Sequence, residues 1–223
     1  MSFLSKVWAI AAKDVAAELR TRELVGAMLV FAVLATLIFS LALDLRGAMA
    51  QAAAPGILWT TIAFAGTLGL NRSLAREHRG GAIEGLLLAP VDRSAIFFGK
   101  ALGNLIFMAI VEVVLVPLFA ILFEVPTLQP GVWAVMGLGT VGYAAIGTLL
   151  AGMAVNTRAR EVMLPVLLLP LAMPVLIGGV RAVSGLLAGS PFDAVGHWVG
   201  LLVAYDGIVV AVSMLGFGYV VEE

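Results

Sequence analysis

The sequence predicts an all-α membrane protein with six transmembrane helices, and three observations predict it. Of 223 residues, 62% are hydrophobic and only 12% are charged, against the roughly even division of a soluble domain. Mean hydropathy is +1.10. The apolar residues also gather into six runs near the length that a bilayer core demands, about 20 residues for about 30 Å at 1.5 Å each.

Ahead of the first run, residues 6–23 read KVWAIAAKDVAAELRTRE. Apolar and charged residues alternate there, unlike the uninterrupted core of a signal peptide. The pattern predicts an interfacial helix over 3–22. Phe3, Val7, Ile10 and Ala11 recur at helical spacing, while Lys6, Lys13, Arg20 and Arg22 can reach lipid phosphates. A soluble helix packed on a partner would give the same pattern.

The spans follow in order. Residues 24–43 carry no charge, and residues 55–70 open with Pro55 at a helix start, where a missing N–H matters little. Residues 101–123 hold Glu112 as their only charge. The fourth span is 132–155. The fifth, 163–180, contains Pro165, Pro170, Pro174 and the Gly178-Gly179 pair, which predict a kink or a split. The sixth, 198–221, carries Asp206. Residues 181–197, RAVSGLLAGSPFDAVGH, are too apolar for an ordinary loop and too short to cross, so they are expected in the outer interface or as a re-entrant piece.

Lysine and arginine fix the orientation, because positive loops stay in the cytoplasm. Eleven fall on one side: Lys6, Lys13, Arg20, Arg22, Arg72, Arg76, Arg79, Arg93, Lys100, Arg158 and Arg160. Only Arg46 and Arg181 fall on the other. Both termini of this multi-pass chain are therefore expected inside the cell, at the cytoplasmic (inner) membrane. The net charge of −1 is uninformative here, and no nucleic-acid partner is expected.

Between spans two and three, residues 77–93 read EHRGGAIEGLLLAPVDR. Residues 72–79 are expected to prolong span two, and Gly80-Gly81 permits a sharp turn. Ile83, Leu86 and Leu87 then share one face of a short helix that Pro90 stops. Asp92 or Ser94 can cap the helix that becomes span three. Such a stub can lie on headgroups as a strut or seat in a groove of a cytoplasmic partner.

The string Gly81-x-Ile83-Glu84-x-Leu86-x-Leu88-x-Pro90, with Lys100 ten residues on, resembles the signature loop of the cytochrome c maturation protein B family (CcmB), the heme exporter permeases. Glu77, Glu112, Pro117, the AYD of residues 204–206 and the FGYVVEE of 217–223 agree with it. The resemblance implies a single permease domain over 1–223, an exporter-class transmembrane domain of an ATP-binding-cassette (ABC) transporter. Residues 3–22 would be its elbow helix and 72–93 its cytoplasmic coupling loop. Glu77, Gly80, Gly81, Ile83, Glu84, Leu86, Leu87, Leu88, Pro90 and Lys100 would couple it to two copies of an ATP-binding subunit. The implied assembly is a homodimer of this chain working with a heme-handling membrane partner and a periplasmic heme chaperone. ATP would sit on the partner subunit, and heme would be the pathway's cargo.

Consistent with an external motor, the chain has no G-x-x-x-x-G-K-[ST] loop, since Gly99-Lys100 is followed by Ala101. Enzyme signatures are missing as well: there is no H-E-x-x-H, no G-x-S-x-G and no cysteine for thiol chemistry or metal ligation. No resident cofactor or metal is expected.

Glu112 and Asp206 are intramembrane candidates. A carboxylate at a helix centre costs about 2.5–3.5 kcal/mol to insert, so each must be paired, protonated or facing a wet interior. They could form a gating or proton-linked pair, or merely satisfy polar neighbours where helices pack. His197 is the better placed of two histidines for a heme contact, although beside Trp198 it also fits an aromatic belt; His78 reads as a loop residue. Gly99-x-x-x-Gly103 and Gly196-x-x-x-Gly200 would permit close helix approach. Two rival functions remain: a permease of this architecture exporting a lipid, glycan or drug, and an ion-coupled secondary transporter relaying through Glu112 and Asp206.

Overall fold

The computed structural model describes residues 2–43, 48–80, 92–154 and 160–220. Among them there are helices and turns but no strand.

Helix α1, Phe3–Thr21, starts at Ser2, whose hydroxyl accepts the Ser5 N–H at 3.4 Å. It ends at Arg22, held in the left-handed region at φ 54°. The turn there sets α2, Glu23–Leu43, in a new direction. Helix α3, Ala48–Gly80, begins seven residues ahead of Pro55, so Pro55 is internal and not the expected start. Its ring removes one ladder bond, to the carbonyl of residue 51, which the long helix tolerates.

Helix α4, Arg93–Leu122, and α5, Pro130–Ala154, are joined by a short turn in which Thr127 Oγ1 donates to the Val116 carbonyl at 2.8 Å. The fifth apolar run splits into α6, Arg160–Leu171, and α7, Met173–Leu187, bent by 55°. Pro174 cannot donate to the residue-170 carbonyl, which explains the break. The Tyr205 hydroxyl donates to the Leu171 carbonyl at 2.8 Å there. Helix α7 continues seven residues past the expected end at 180, so the first part of 181–197 belongs to that helix. It closes at Gly189, φ +82°, before the 3₁₀ turn Phe192–Val195 and helix α8, Gly196–Val220.

Among the described residues five helices, α2, α3, α4, α5 and α8, are long and apolar enough to cross a membrane, and the bent α6–α7 pair makes a sixth if it counts as one crossing. Helices α3 and α5 are the inner members, with 72% and 78% of their apolar windows buried, against 22% for α2 and α8. With 33 and 30 residues, α3 and α4 reach about 50 and 45 Å, well beyond a bilayer core of about 30 Å.

Candidate functional site

Two places carry most of the polar chemistry: the shared end of α3 and α4, and a set of polar contacts around α5.

At the first place, α3 stays helical to Gly80, which puts the backbone of Glu77, His78 and Gly80 on a helical extension of the span. Gly81, Ile83, Glu84, Leu86, Leu87, Leu88 and Pro90 lie outside the described residues. Asp92 takes the N-cap position of α4 with extended backbone but makes no capping bond. Its carboxylate instead meets Lys6 Nζ at 3.4 Å.

Lys100 belongs to a contact within the chain. Its ammonium lies 2.7 Å from Asp14 Oδ2, with only 10% and 18% of the two side chains exposed. The contact clamps α1 along the first turns of α4. Close packing reinforces it: a Cβ at Gly99 would stand 2.7 Å from Ile10 Cβ, and one at Gly103 would touch Asp14 at 3.8 Å. The Gly99-x-x-x-Gly103 motif is thus covered by α1 and unavailable to a second copy, whereas Gly196 and Gly200 have nothing within 4 Å.

This clamp also reverses the expected facing of α1. Val7, Ile10 and Ala11 are buried against the bundle, not turned to lipid, while Leu4, Trp8 and Leu19 are 76%, 62% and 67% exposed. Periodicity marks apolar stripes, and this helix has two of them. At the corner into α2, Glu18 is buried and its Oε1 accepts the N–H groups of Leu24 at 2.8 Å and Val25 at 2.9 Å. A carboxylate there satisfies amides that otherwise lack partners and complements the helix dipole. Arg72 of α3 donates to the Glu23 carbonyl at 3.2 Å, so three helices meet at this corner.

At the second place, Glu112 of α4 is buried and accepts the Thr140 hydroxyl of α5. Eight residues earlier on α4, Asn104 donates to Thr148 at 2.9 Å, eight residues later on α5, as an antiparallel register requires. Tyr143 reaches the other way, with its hydroxyl 2.7 Å from Thr67 Oγ1 and from the Ala63 carbonyl of α3. Asp206 of α8 abuts Gly142, where any Cβ would overlap Oδ1. Among the described residues that oxygen has no hydrogen-bond partner.

Thr140 and Gly142 project about 200° apart around α5. Glu112 and Asp206 therefore approach that helix from different sides. His197 is exposed at the start of α8, its ring 4.7 Å from that of Trp198. No group of three or more His, Cys, Asp or Glu among the described residues is arranged to hold a metal ion.

Sequence reasoning missed Glu18, Asp14 and Trp59. The Trp59 indole is fully buried between Gly139 of α5 and Gly179 of α7, and a Cβ at either glycine would overlap the ring. A shallow crevice between α2, α3 and α4, lined partly by Met28, Met108 and Asn104, has no room for a small molecule.

The sequence model described as CcmB protein matches residues 5–222. Heme exporter protein B of Pseudomonas aeruginosa is 28% identical over 186 residues, covering 83% of each chain. The protein of the same name from Rhodobacter capsulatus is 29% identical over 177 residues, 78% of this chain and 81% of the relative. That from Paracoccus denitrificans is 31% identical over 138 residues, 61% of this chain and 63% of the relative.

Proposed function

The chain belongs to the CcmB protein family, and from that premise we propose that it is the membrane subunit of an ABC transporter acting in cytochrome c maturation. The observation that carries this reading is the match over residues 5–222, which takes in the whole bundle and the loop between α3 and α4. The relatives' name, heme exporter protein B, makes heme the cargo of the pathway.

In this reading both termini and the α3–α4 loop face the cytoplasm at the inner membrane. An ATP-binding subunit, two copies per homodimer of this chain, seats the stub at 83–90, with Ile83, Leu86 and Leu87 in its cleft and Glu84 at its rim. Its closure tilts α3 and α4. Both helices overrun the bilayer, which supports this lever, and α1 acts as the elbow that travels with α4. A heme-handling membrane partner and a periplasmic heme chaperone complete the assembly. Hydrolysis belongs to the partner, so this chain is a transport component.

The test is a tagged pull-down from native membranes, followed by assay of the co-purified ATPase. Glu84→Lys and the Leu86→Asp/Leu87→Asp double change should abolish capture of the ATP-binding subunit while the chain still inserts. Full capture and ATPase stimulation with both variants would refute the docking assignment. A purified chain that performs the maturation step by itself would refute the division of labour.

A further inference from the structure

We propose that α1 binds anionic phospholipid of the leaflet it lies against, and that this binding braces α4 through the Asp14–Lys100 clamp.

Three stripes run along α1. One, with Val7, Ile10, Ala11, Asp14 and Glu18, is taken up by α4 and α2. The second, Leu4, Trp8 and Leu19, lies within about 60° of arc and is 62–76% exposed although every member is large and apolar. The third stripe is basic: Lys13 and Arg20 fall within about 20° of each other, and both are exposed.

Lys13 stands 3.4 Å from Asp14 Oδ1, but the other oxygen of that carboxylate already holds Lys100 at 2.7 Å, and the Lys13 side chain remains half exposed. Its charge is therefore still open to a second anion. An apolar stripe with a basic stripe about 140° around the helix from it is the arrangement that seats a helix at a headgroup layer, with tryptophan at the polar–apolar boundary and cations on lipid phosphates.

The depth agrees. Asp14 is level with Lys100 and Gly103, where the apolar part of α4 begins, and Glu23 is level with Arg72, just past the apolar part of α3. Charge complementarity thus selects an anionic lipid surface over a protein groove for this face. Because Ile10 packs on Gly99 and Glu18 caps α2, a lipid hold on α1 also restrains α4 and the start of α2. The proposal shares with the transporter reading only the elbow position of α1.

Its test uses the purified full chain alone in lipid nanodiscs, so failure of the ATPase assignment leaves it untouched. Spin-labelled phosphatidylglycerol should associate preferentially over spin-labelled phosphatidylcholine. Lys13→Gln/Arg20→Gln should lower that preference by roughly threefold or more, and added salt should lower it in the parent but barely in the variant. The fluorescence difference between the parent and Trp8→Phe should be quenched by lipids brominated near the headgroup end of the acyl chain. An unchanged preference in the double variant overturns the proposal. So does a Trp8 signal that brominated lipid cannot reach, which would assign the face to a protein partner.

Discussion

Thr140 of α5 donates its hydroxyl to the buried carboxylate of Glu112 on α4, and Asn104 and Thr148 repeat the link two turns away at 2.9 Å. Spans three and four are therefore held in one register by two polar contacts, with Met108 and Ala144 at the level between them. Such a contact has two consequences in lipid. It gives Glu112 a partner, easing its desolvation, and it opposes sliding of α4 against α5.

A double-mutant cycle on Glu112→Ala and Thr140→Val should give a coupling of about 1 kcal/mol, the scale of hydrogen bonds between membrane helices. Thermal unfolding in detergent reads it. Asn104→Ala with Thr148→Val should give a similar value. Coupling near zero at Glu112 would mean that the carboxylate is not engaged by Thr140 in the membrane.

Lys100 and Asp14 form the clamp on α1, and each is mostly buried. Lys100→Met leaves a carboxylate without its main cation and should destabilise the protein by about 2 kcal/mol, somewhat below the loss seen for fully buried pairs. Exchanging the two, Asp14→Lys with Lys100→Asp, should restore most of that. Limited proteolysis at residues 21–23 gives a second readout, since release of α1 exposes that corner. A swap no better than the single change would show that the packing of Ile10 on Gly99, and not the charge pair, holds α1.

Much of this architecture was legible from composition, because 18 or more apolar residues in a row have few other uses. The broken fifth span followed from Pro170 and Pro174, whose rings forbid the ladder on either side of Ala172. The facing of α1 was not legible. Its two apolar stripes satisfy the same period, and only the glycines at 99 and 103 decide which one is covered. Glu18 gave a faint signal: an acid six residues ahead of a span's first apolar residue can fold back to cap it, yet in a string of mixed charges it looks solvated. The spacing of Lys100 from Pro90 is local and easily read, whereas its partner Asp14 is 86 residues away in sequence, beyond the reach of any local rule. Trp59 carried no warning either, since its slot is made by glycines on two other helices.

Glu18 offers a graded test of the corner between α1 and α2. Glu18→Gln retains an oxygen that can accept the amides of Leu24 and Val25, whereas Glu18→Ala leaves both without it. The alanine change should cost about 1–2 kcal/mol and the glutamine change less than half of that. Hydrogen exchange at the two amides should rise with alanine and stay near the parental rate with glutamine. Equal effects would mean that the charge, and not the acceptor geometry, does the capping.

Glycines that look alike in sequence should separate sharply on substitution. Gly139→Ala and Gly179→Ala force a methyl into the Trp59 ring, and overpacking of that kind costs about 1–3 kcal/mol. Gly200→Ala meets nothing within 4 Å and removes a flexible residue from a helix, so within one chain it should be neutral or stabilising by up to about 1 kcal/mol. Adding Trp59→Phe to Gly139→Ala should recover part of the loss, because a single ring leaves room where the indole's second ring stood. Thermal stability of the four variants decides it. A destabilised Gly200→Ala would reveal close approach by another helix at that face.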